Sequence, residues 1–295
     1  MAGGTITGFQ FGDGLIVTDE GDGITRLDVC VECTNSGGAT TYTDAVLAHP
    51  CLAHYWPCDE TSGNLIDRKG SIDPSRIAAT SGSGQPTYGA AGPFTSFPAL
   101  TAVHNSGSFG VVAHDDGQFN GLMSGFSPTT YTLEAWVWFD SATFQSMIIQ
   151  FGDASFSLFT PAWTLQFGCG NIGVSDVVTV PTGAWQYLVG TFDGTNARFY
   201  RNATLVGTGT PTSHASWSAQ FSFTNNYLGP SYAPLNGRLA QVALYNCALS
   251  ASEITNHFSL RGATGDHPSG MVLTSDGSGG TTWDYPTIQV YLNGV

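Results

Sequence analysis

The glutamates of this chain are the first candidates for chemistry, because enzymes that hydrolyse polysaccharides use two carboxylates that flank one glycosidic bond. The 295 residues contain five of them: Glu20, Glu32, Glu60, Glu134 and Glu253. Only Glu134 lies within a predicted central strand, and no second acid shares its face of that strand. Since a hydrolase needs a partner carboxylate, we expect no catalytic residue and no enzyme activity.

The cysteines allow a weak zinc hypothesis. Cys30 and Cys33 have the spacing of half a tetrahedral site. The other half would come from His49, Cys51, His54 or Cys58. These residues include no second pair at matching spacing, and residues three apart in a strand face opposite sides. The alternative, that most cysteines are small core residues, is therefore favoured.

Aromatic and amide side chains in turn-rich segments are candidates for carbohydrate recognition. Sugar C–H faces stack on aromatic rings, and amides bind hydroxyls. The residues that fit are Trp163, Trp217, Asn225, Asn226, Tyr227 and Tyr232. Packing into the core is the alternative for each of these aromatics. We expect Trp136, Trp138 and Trp185 in the core, because each belongs to a strand that is apolar on both faces.

The composition excludes two classes of partner. With 22 acids and 8 bases the net charge is −14, so the attraction that drives binding to nucleic acid or to an anionic membrane has the wrong sign. No apolar segment approaches the length of about 18 residues that a membrane span needs, so we expect no membrane insertion. The first ten residues lack the pattern of a secretory signal, which predicts synthesis in a cytoplasm.

The pattern of residues favours an all-β fold. Charged residues are only 10% of the chain, glycine supplies 38 residues, and aromatics make up 12%. Residues 131–139 alternate with period two and are apolar on nearly both faces, which predicts a central strand. One helix is predicted from Ala251 to about Phe258, with Ser250 and Glu253 at the spacing of a capping box.

The two ends of the chain resemble each other. Residues 14–29 align without gaps to residues 270–285, and six of the sixteen positions are identical. Each copy has an apolar triplet, a Gly-rich acidic turn and a second short strand, which predicts a β-hairpin. We therefore expect an N-terminal β assembly arm over 1–50, a core domain over 51–260 and a C-terminal β assembly arm over 261–295.

Four segments carry a resemblance to a known family. They are residues 54–70, 131–139, 183–209 and 235–258, which begin HYWPCDE, YTLEAWV, GAWQYLV and LNGRLAQ. In this order they resemble the laminin G-like family. The resemblance implies a concanavalin A-like jelly-roll sandwich of two antiparallel sheets over residues 52–258, to which the repeated ends of the chain add the short hairpin arms.

The resemblance also implies two sites. Family members often bind calcium between the loop after the first strand and the last strand, and here Asp59, Asn64 and Asp67 supply oxygens in that loop. Relatives commonly have an acidic pair in the last strand where this chain has Ala240 and Gln241. Turn formation is therefore the favoured role of the loop residues, and we expect no cofactor, with calcium as the alternative.

The first and last strands are neighbours in the family fold, so the resemblance allows a disulfide between Cys58 and Cys247. Cys51 and Cys58 lie seven residues apart on one predicted strand. At about 3.3 Å per residue their Cα atoms would be too far apart to pair with each other.

The flanks resemble a different source, the end modules of tail fibres and minor tail proteins of tailed phages, with GMVLTSDGSGGTTW over 270–283 as the main motif. This resemblance implies a structural protein of a virion tail, made in the host cytoplasm. Its partners would be copies of itself as a homotrimer, other tail proteins, and a host-surface glycan or protein. The alternative is a free bacterial carbohydrate-binding protein or a glycoside-active enzyme.

Overall fold

A computed structural model describes the chain over residues 15–19, 25–29, 41–62, 65–70, 87–94, 97–102, 113–114, 128–142, 145–159, 164–214, 221–223, 235–262, 272–275 and 281–284. The chain divides into two compact units. One unit runs from Thr41 to Thr264, and the other combines Met1–Thr40 with Gly265–Val295. None of the helices in the described ranges is long and apolar enough to cross a membrane.

The Thr41–Thr264 unit is a sandwich of two antiparallel sheets. The smaller sheet has the strand order β11-β10-β9-β8-β15-β6. Its strands are β6 (Ala113–His114), β8 (Ser146–Phe151), β9 (Ala154–Phe159), β10 (Thr164–Cys169), β11 (Ile172–Thr179) and β15 (Phe221–Phe223).

The larger sheet has the order β14-β13-β12-β7-β16-β5-β4, and β3 also pairs with β16. Its strands are β3 (Leu52–Trp56), β4 (Thr87–Phe94), β5 (Phe97–Ala102), β7 (Tyr131–Phe139), β12 (Trp185–Phe192), β13 (Ala197–Arg201), β14 (Thr204–Gly209) and β16 (Gly237–Tyr245). The all-β sandwich predicted from the sequence is confirmed, and β7 holds the predicted central position between β12 and β16.

The main core lies between the two sheets, and the alternation of β7 faces it as predicted. Tyr131, Leu133, Ala135, Val137 and Phe139 are all buried in this core. Aromatic rings from the smaller sheet fill much of the remaining space. Burial of this apolar area is the main stabilising term for a sandwich of this kind.

A second core lies on the outer face of the larger sheet, beneath two helices. Helix α1 (Tyr42–Ala48) begins at Thr41, whose hydroxyl accepts from the Asp44 N–H, and helix α2 (Ala251–Ser259) begins at Ser250. The predicted capping box of α2 is present. Helix α1 is not predicted from the sequence, and it lies before residue 51 in the stretch predicted as an assembly arm.

The predicted terminal hairpins are both present. In one, β1 (Leu15–Asp19) pairs with β2 (Thr25–Val29), and in the other, β17 (Val272–Ser275) pairs with β18 (Thr281–Asp284). The pairs Ile16–Asp28 and Val272–Asp284 occupy equivalent places in the sequence alignment, so the two copies share their register as well as their sequence pattern.

Candidate functional site

Glu134 is the acid that could have served catalysis, and the structure places it out of reach of any substrate. Its side chain is fully buried beneath the helices. Four side chains hold it: Tyr42 from α1 at 2.6 Å, Tyr187 from β12 at 2.7 Å, Tyr245 from β16 at 2.7 Å, and His257 Nδ1 from α2 at 3.1 Å. The carboxylate therefore ties both helices to three adjacent strands.

The Glu134 carboxylate and the His257 cation stabilise each other's charged form. Burial acts to raise the pKa of Glu134, but the His257 cation and hydrogen bonds from His257, Tyr42 and Tyr187 outweigh burial, so the pKa is lowered. Burial acts to lower the pKa of His257, and the Glu134 carboxylate reverses this, so the pKa is raised. Burial and the nearby carboxylate keep the three tyrosines protonated, as donors.

This ion pair predicts how stability depends on pH. The lowered pKa of Glu134 adds stability that is lost as the pH falls through its folded value. The raised pKa of His257 adds stability that is complete below its unfolded value of about 6.5 and is lost as the pH rises through its folded value. We expect the urea midpoint to fall as the pH rises above about 6.5, and this fall to be smaller in His257→Gln. Equal pH profiles for the two proteins would contradict the assignment.

Part of the outer face is beyond the reach of the helices. Helix α2 has nine residues and a length of about 13 Å, whereas β7, also of nine residues, extends over about 30 Å. The Phe258 ring at the end of α2 stacks on Trp136 at 5.9 Å. Trp138 lies two residues further along β7 on the same face, and its ring is only half-buried.

Two tryptophans form a pair on this part of the outer face, which none of the described helices covers. We call Trp138, Trp185, Arg238 and Asp140 together the outer-face platform. Trp185 and Trp138 are direct partners across β12 and β7, with ring centroids 6.0 Å apart at 66°. Arg238, the partner of Trp138 on β16, lies over its ring at 4.9 Å. Trp138 Nε1 donates to Asp140 Oδ1 at 2.9 Å, which fixes the orientation of the indole.

The platform corrects one expectation from the sequence. Trp136 is buried as predicted, but Trp138 and Trp185 are half-buried rather than in the core. Their strands are apolar on both faces, and this pattern alone does not show how far the covering helices extend. The length of α2, read from its capping box to Phe258, is the one signal in the sequence that could have identified the uncovered end.

The aromatic and amide residues predicted from the sequence to bind carbohydrate, which we call the rim, have a different status. Trp163, Trp217, Asn225, Asn226, Tyr227 and Tyr232 all lie outside the described residues, so their role in binding stays a prediction. They belong to the segments on either side of β10 and β15.

The predicted calcium ligands are engaged within the chain. Asp67 is buried and its carboxylate accepts the backbone N–H groups of Tyr55, Lys69 and Gly70 as well as His54 Nδ1. Asp59 pairs with Arg68 at 2.8 Å. Asn64 lies outside the described residues. The contacts of Asp59 and Asp67 are those of residues that shape a turn, the role favoured from the sequence, and calcium binding stays a prediction.

The cysteine pairing implied by the resemblance is wrong. Cys247 bonds to Cys51, with Cα atoms 5.8 Å apart, while Cys58 is a free, buried thiol. The reason is the antiparallel register of β3 and β16, in which Leu52 lies opposite Tyr245 and Trp56 opposite Val242. Cys51 precedes one strand and Cys247 follows the other, so they meet, whereas Cys58 lies at the opposite end.

The disulfide also removes one of the predicted zinc ligands, because Cys51 is bonded to Cys247. Cys30 and Cys33 lie outside the described residues. The His54 ring contacts Asp67, as above, and stacks on Trp56 at 5.5 Å.

Some solved structures are similar to this chain over about 70% of its length. Domain 4 of an extracellular arabinanase from Geobacillus stearothermophilus, in complex with arabinotriose, is 22% identical, with 70% of this chain and 97% of that chain covered and a TM-score of 0.49. A Trypanosoma rangeli sialidase in complex with sialic acid is 14% identical, with coverage of 73% and 34% and a TM-score of 0.47. This chain spans only about a third of that sialidase.

No curated protein resembles this chain closely enough in sequence to count as a relative. A sequence profile of the laminin G type, described as the concanavalin A-like lectin/glucanases superfamily, matches residues 106–255, which is just over half of the chain. It confirms the resemblance of the core segments, and the chain belongs to the concanavalin A-like lectin/glucanases superfamily.

Proposed function

We propose that this protein binds carbohydrate on the outer-face platform and does not cleave it. The observation that carries the proposal is the half-buried pair of Trp138 and Trp185 on adjacent strands, with charged side chains at its edge. Trp185 packs in part against the core on the outer face, and each of the two indoles keeps exposed apolar area that a sugar ring can cover. The family description, which includes lectins, supports the same class of function.

The polar groups beside the tryptophans supply the second requirement of a sugar site. Arg238 has five N–H donors, and one of its terminal nitrogens donates to the Ala91 carbonyl at 3.3 Å. Asp140 is exposed, and an ionised carboxylate has more acceptor sites than its bond to Trp138 uses. Donors and acceptors at the edge of an aromatic surface are what fix the orientation of sugar hydroxyls.

The glutamates of the described residues favour binding without hydrolysis. Glu134 holds the helices, as above. Glu253 belongs to the capping box of α2, and hydrogen bonds from Ser250 lower its pKa to about 2. Glu60 accepts the backbone N–H of Ile66 at 2.8 Å. Each of these carboxylates thus serves a local structural contact, which supports the expectation of no glycoside cleavage.

Trp185→Ala should weaken binding to glycans by at least about tenfold, which corresponds to 1.4 kcal/mol. Trp residues at binding surfaces commonly contribute this much or more. Binding of the full chain to a glycan array, followed by titration of the best hit, measures the change. Leu205→Ala is the matched control, because Leu205 is an exposed apolar residue on the edge strand β14 of the same sheet.

Two outcomes would contradict this assignment. One is equal binding by Trp185→Ala and the native chain. The other is loss of binding in Trp163→Ala or Trp217→Ala with Trp185→Ala unaffected, which would move the site to the rim predicted from the sequence.

The role in a virion tail is a second candidate, and the two terminal hairpins favour it. An isolated two-stranded hairpin is only marginally stable in water, so both arms gain by packing against other surfaces. Homotrimer formation, other tail proteins as partners and location in a virion stay predictions that depend on the flanking sequences. In this setting the outer-face platform would face the glycans of a host surface.

A further inference from the structure

A second group of chemistry-bearing side chains lies at one end of the sandwich. Asp153 is in the turn between β8 and β9, Cys169 ends β10, and His214 follows β14. One ligand atom from each lies within 4.8 Å of the other two. Asp153 and Cys169 are buried, whereas the His214 side chain is 38% exposed and contacts the Asp153 carboxylate through Nδ1.

The backbone around the group is held by specific contacts. Asn171 Oδ1 accepts the N–H groups of Thr212 and Ser213 at 2.9 and 3.1 Å, and the Asn171 N–H donates to the Ser213 carbonyl at 3.0 Å. Gly170 has a φ of +58°, and a Cβ there would collide with the Ser213 carbonyl. These contacts place the loop before His214 directly against the turn after Cys169.

Tyr131 completes the group from the start of β7. Its hydroxyl lies 2.9 Å from Cys169 Sγ and 3.3 Å from Asp153 Oδ2, so it bridges the sulfur and the carboxylate. The Phe192 ring packs against the imidazole of His214 at 4.6 Å. A thiol, a carboxylate and an imidazole therefore converge with their orientations fixed by neighbours, and one side of the group is open to solvent.

We propose that Asp153, Cys169 and His214 bind a divalent cation of the zinc class. Sulfur, nitrogen and oxygen donors together suit zinc, which takes thiolate at about 2.3 Å and imidazole or carboxylate at about 2.0–2.2 Å in a tetrahedron. Three protein ligands leave the fourth position to water. The shared use of sulfur and nitrogen disfavours calcium and magnesium, which prefer oxygen alone.

Binding would displace protons to solvent. Cys169 must lose its thiol proton, and the ring nitrogen of His214 that coordinates the metal must carry no proton. Burial raises the pKa of the Cys169 thiol to about 11, so the affinity for metal should increase with pH. The Tyr131 hydroxyl can donate to the resulting thiolate and would act as a positioning residue.

The metal would hold the His214 loop against the end of the sandwich. This metal site is separate from the outer-face platform. Tyr131 begins β7, whereas Trp138 is seven residues further along the same strand. At about 3.3 Å per residue this separation is about 23 Å. A metal at this end therefore stabilises the loop or forms part of a second binding site at this end. A variant that loses sugar binding at the platform should still bind the metal.

Titration of the full chain with cobalt(II), without reductant, tests the proposal. A cysteine ligand gives a sulfur-to-cobalt charge-transfer absorption, and excess zinc should abolish it. We expect this absorption in the native chain and its loss in Cys169→Ser. In His214→Ala the affinity for cobalt should fall by at least about tenfold. Loss of a residue that only contacts a metal ligand already lowers metal affinity by about this factor, and loss of a ligand should lower it at least as much. His214 is exposed enough for its variant to fold, which circular dichroism verifies.

Two control variants identify the sulfur. Cys58→Ser replaces the other free buried thiol of the described residues and should keep the absorption. Without reductant, Cys51 and Cys247 stay oxidised and do not contribute. No absorption in the native chain would overturn the proposal, and so would absorption that survives in Cys169→Ser or disappears in a double Cys30→Ser, Cys33→Ser variant.

Zinc should also raise the Tm of the native chain, because a cation that binds only the folded state stabilises it. The increase should be absent in Cys169→Ser and reduced in His214→Ala. An equal increase in all three proteins would place the metal elsewhere and contradict the assignment.

Discussion

Replacing Glu134 with alanine should lower the free energy of unfolding by about 3–5 kcal/mol, the cost of breaking a buried ion pair by removal of one partner. The substitution leaves the hydroxyls of Tyr42, Tyr187 and Tyr245 without their acceptor and leaves His257 without its counter-charge. Buried polar groups that lose their partners carry the full cost of desolvation. Urea denaturation at about pH 6 measures the change.

Two further variants separate the effect of these buried contacts of Glu134, which we call the clamp, from the general effect of losing an acid. Glu134→Gln keeps an acceptor for the tyrosines but removes the charge, so we expect its free energy of unfolding to lie between that of the native chain and that of Glu134→Ala. Asp59→Ala removes a surface carboxylate paired with the exposed Arg68 and should cost no more than about 1 kcal/mol. Similar losses in Asp59→Ala and Glu134→Ala would contradict the clamp.

Removing the Cys51–Cys247 disulfide should cost about 2–5 kcal/mol. The bridge joins residues 196 apart in sequence, so it closes almost the whole sandwich domain into one loop and restricts its unfolded chain. The double variant Cys51→Ser, Cys247→Ser measures this loss by urea denaturation, and addition of a reductant to the native chain should reproduce it.

Cys58→Ser provides the matched control for the disulfide. It keeps the bridge, so a reductant should lower its urea midpoint as much as it lowers that of the native chain. The double variant should not respond to the reductant. A response of the double variant, or stability equal to that of the native chain before reduction, would show that the bridge does not carry this stabilisation.

The sheet and helix α2 were predictable because their signals are local. The alternation over residues 131–139 identifies the face of β7 that meets the smaller sheet, and Ser250 with Glu253 marks the start of α2. Helix α1 was missed because its seven residues are stabilised by packing rather than by a long amphipathic pattern, with Tyr42 and Val46 buried against the outer face.

The sites depend on contacts between distant residues, which no local pattern contains. The hydrogen-bond partners of Glu134 lie between 53 and 123 positions away in the sequence. The cysteine pairing depends on which ends of β3 and β16 lie side by side. Knowing only that the two strands are neighbours does not determine these ends. Exposure of Trp138 depends on where helix α2 stops, which is a property of another element.

The central claim, that sugar binds on the outer-face platform, can be tested most directly by the indole ¹⁵N–¹H signals of the protein during titration with the best glycan from the array. Binding on the platform should shift the signals of Trp138 and Trp185 with saturation, while those of the buried Trp56 and Trp136 stay in place. Shifts confined to Trp163 or Trp217, with Trp138 and Trp185 unmoved, would contradict it.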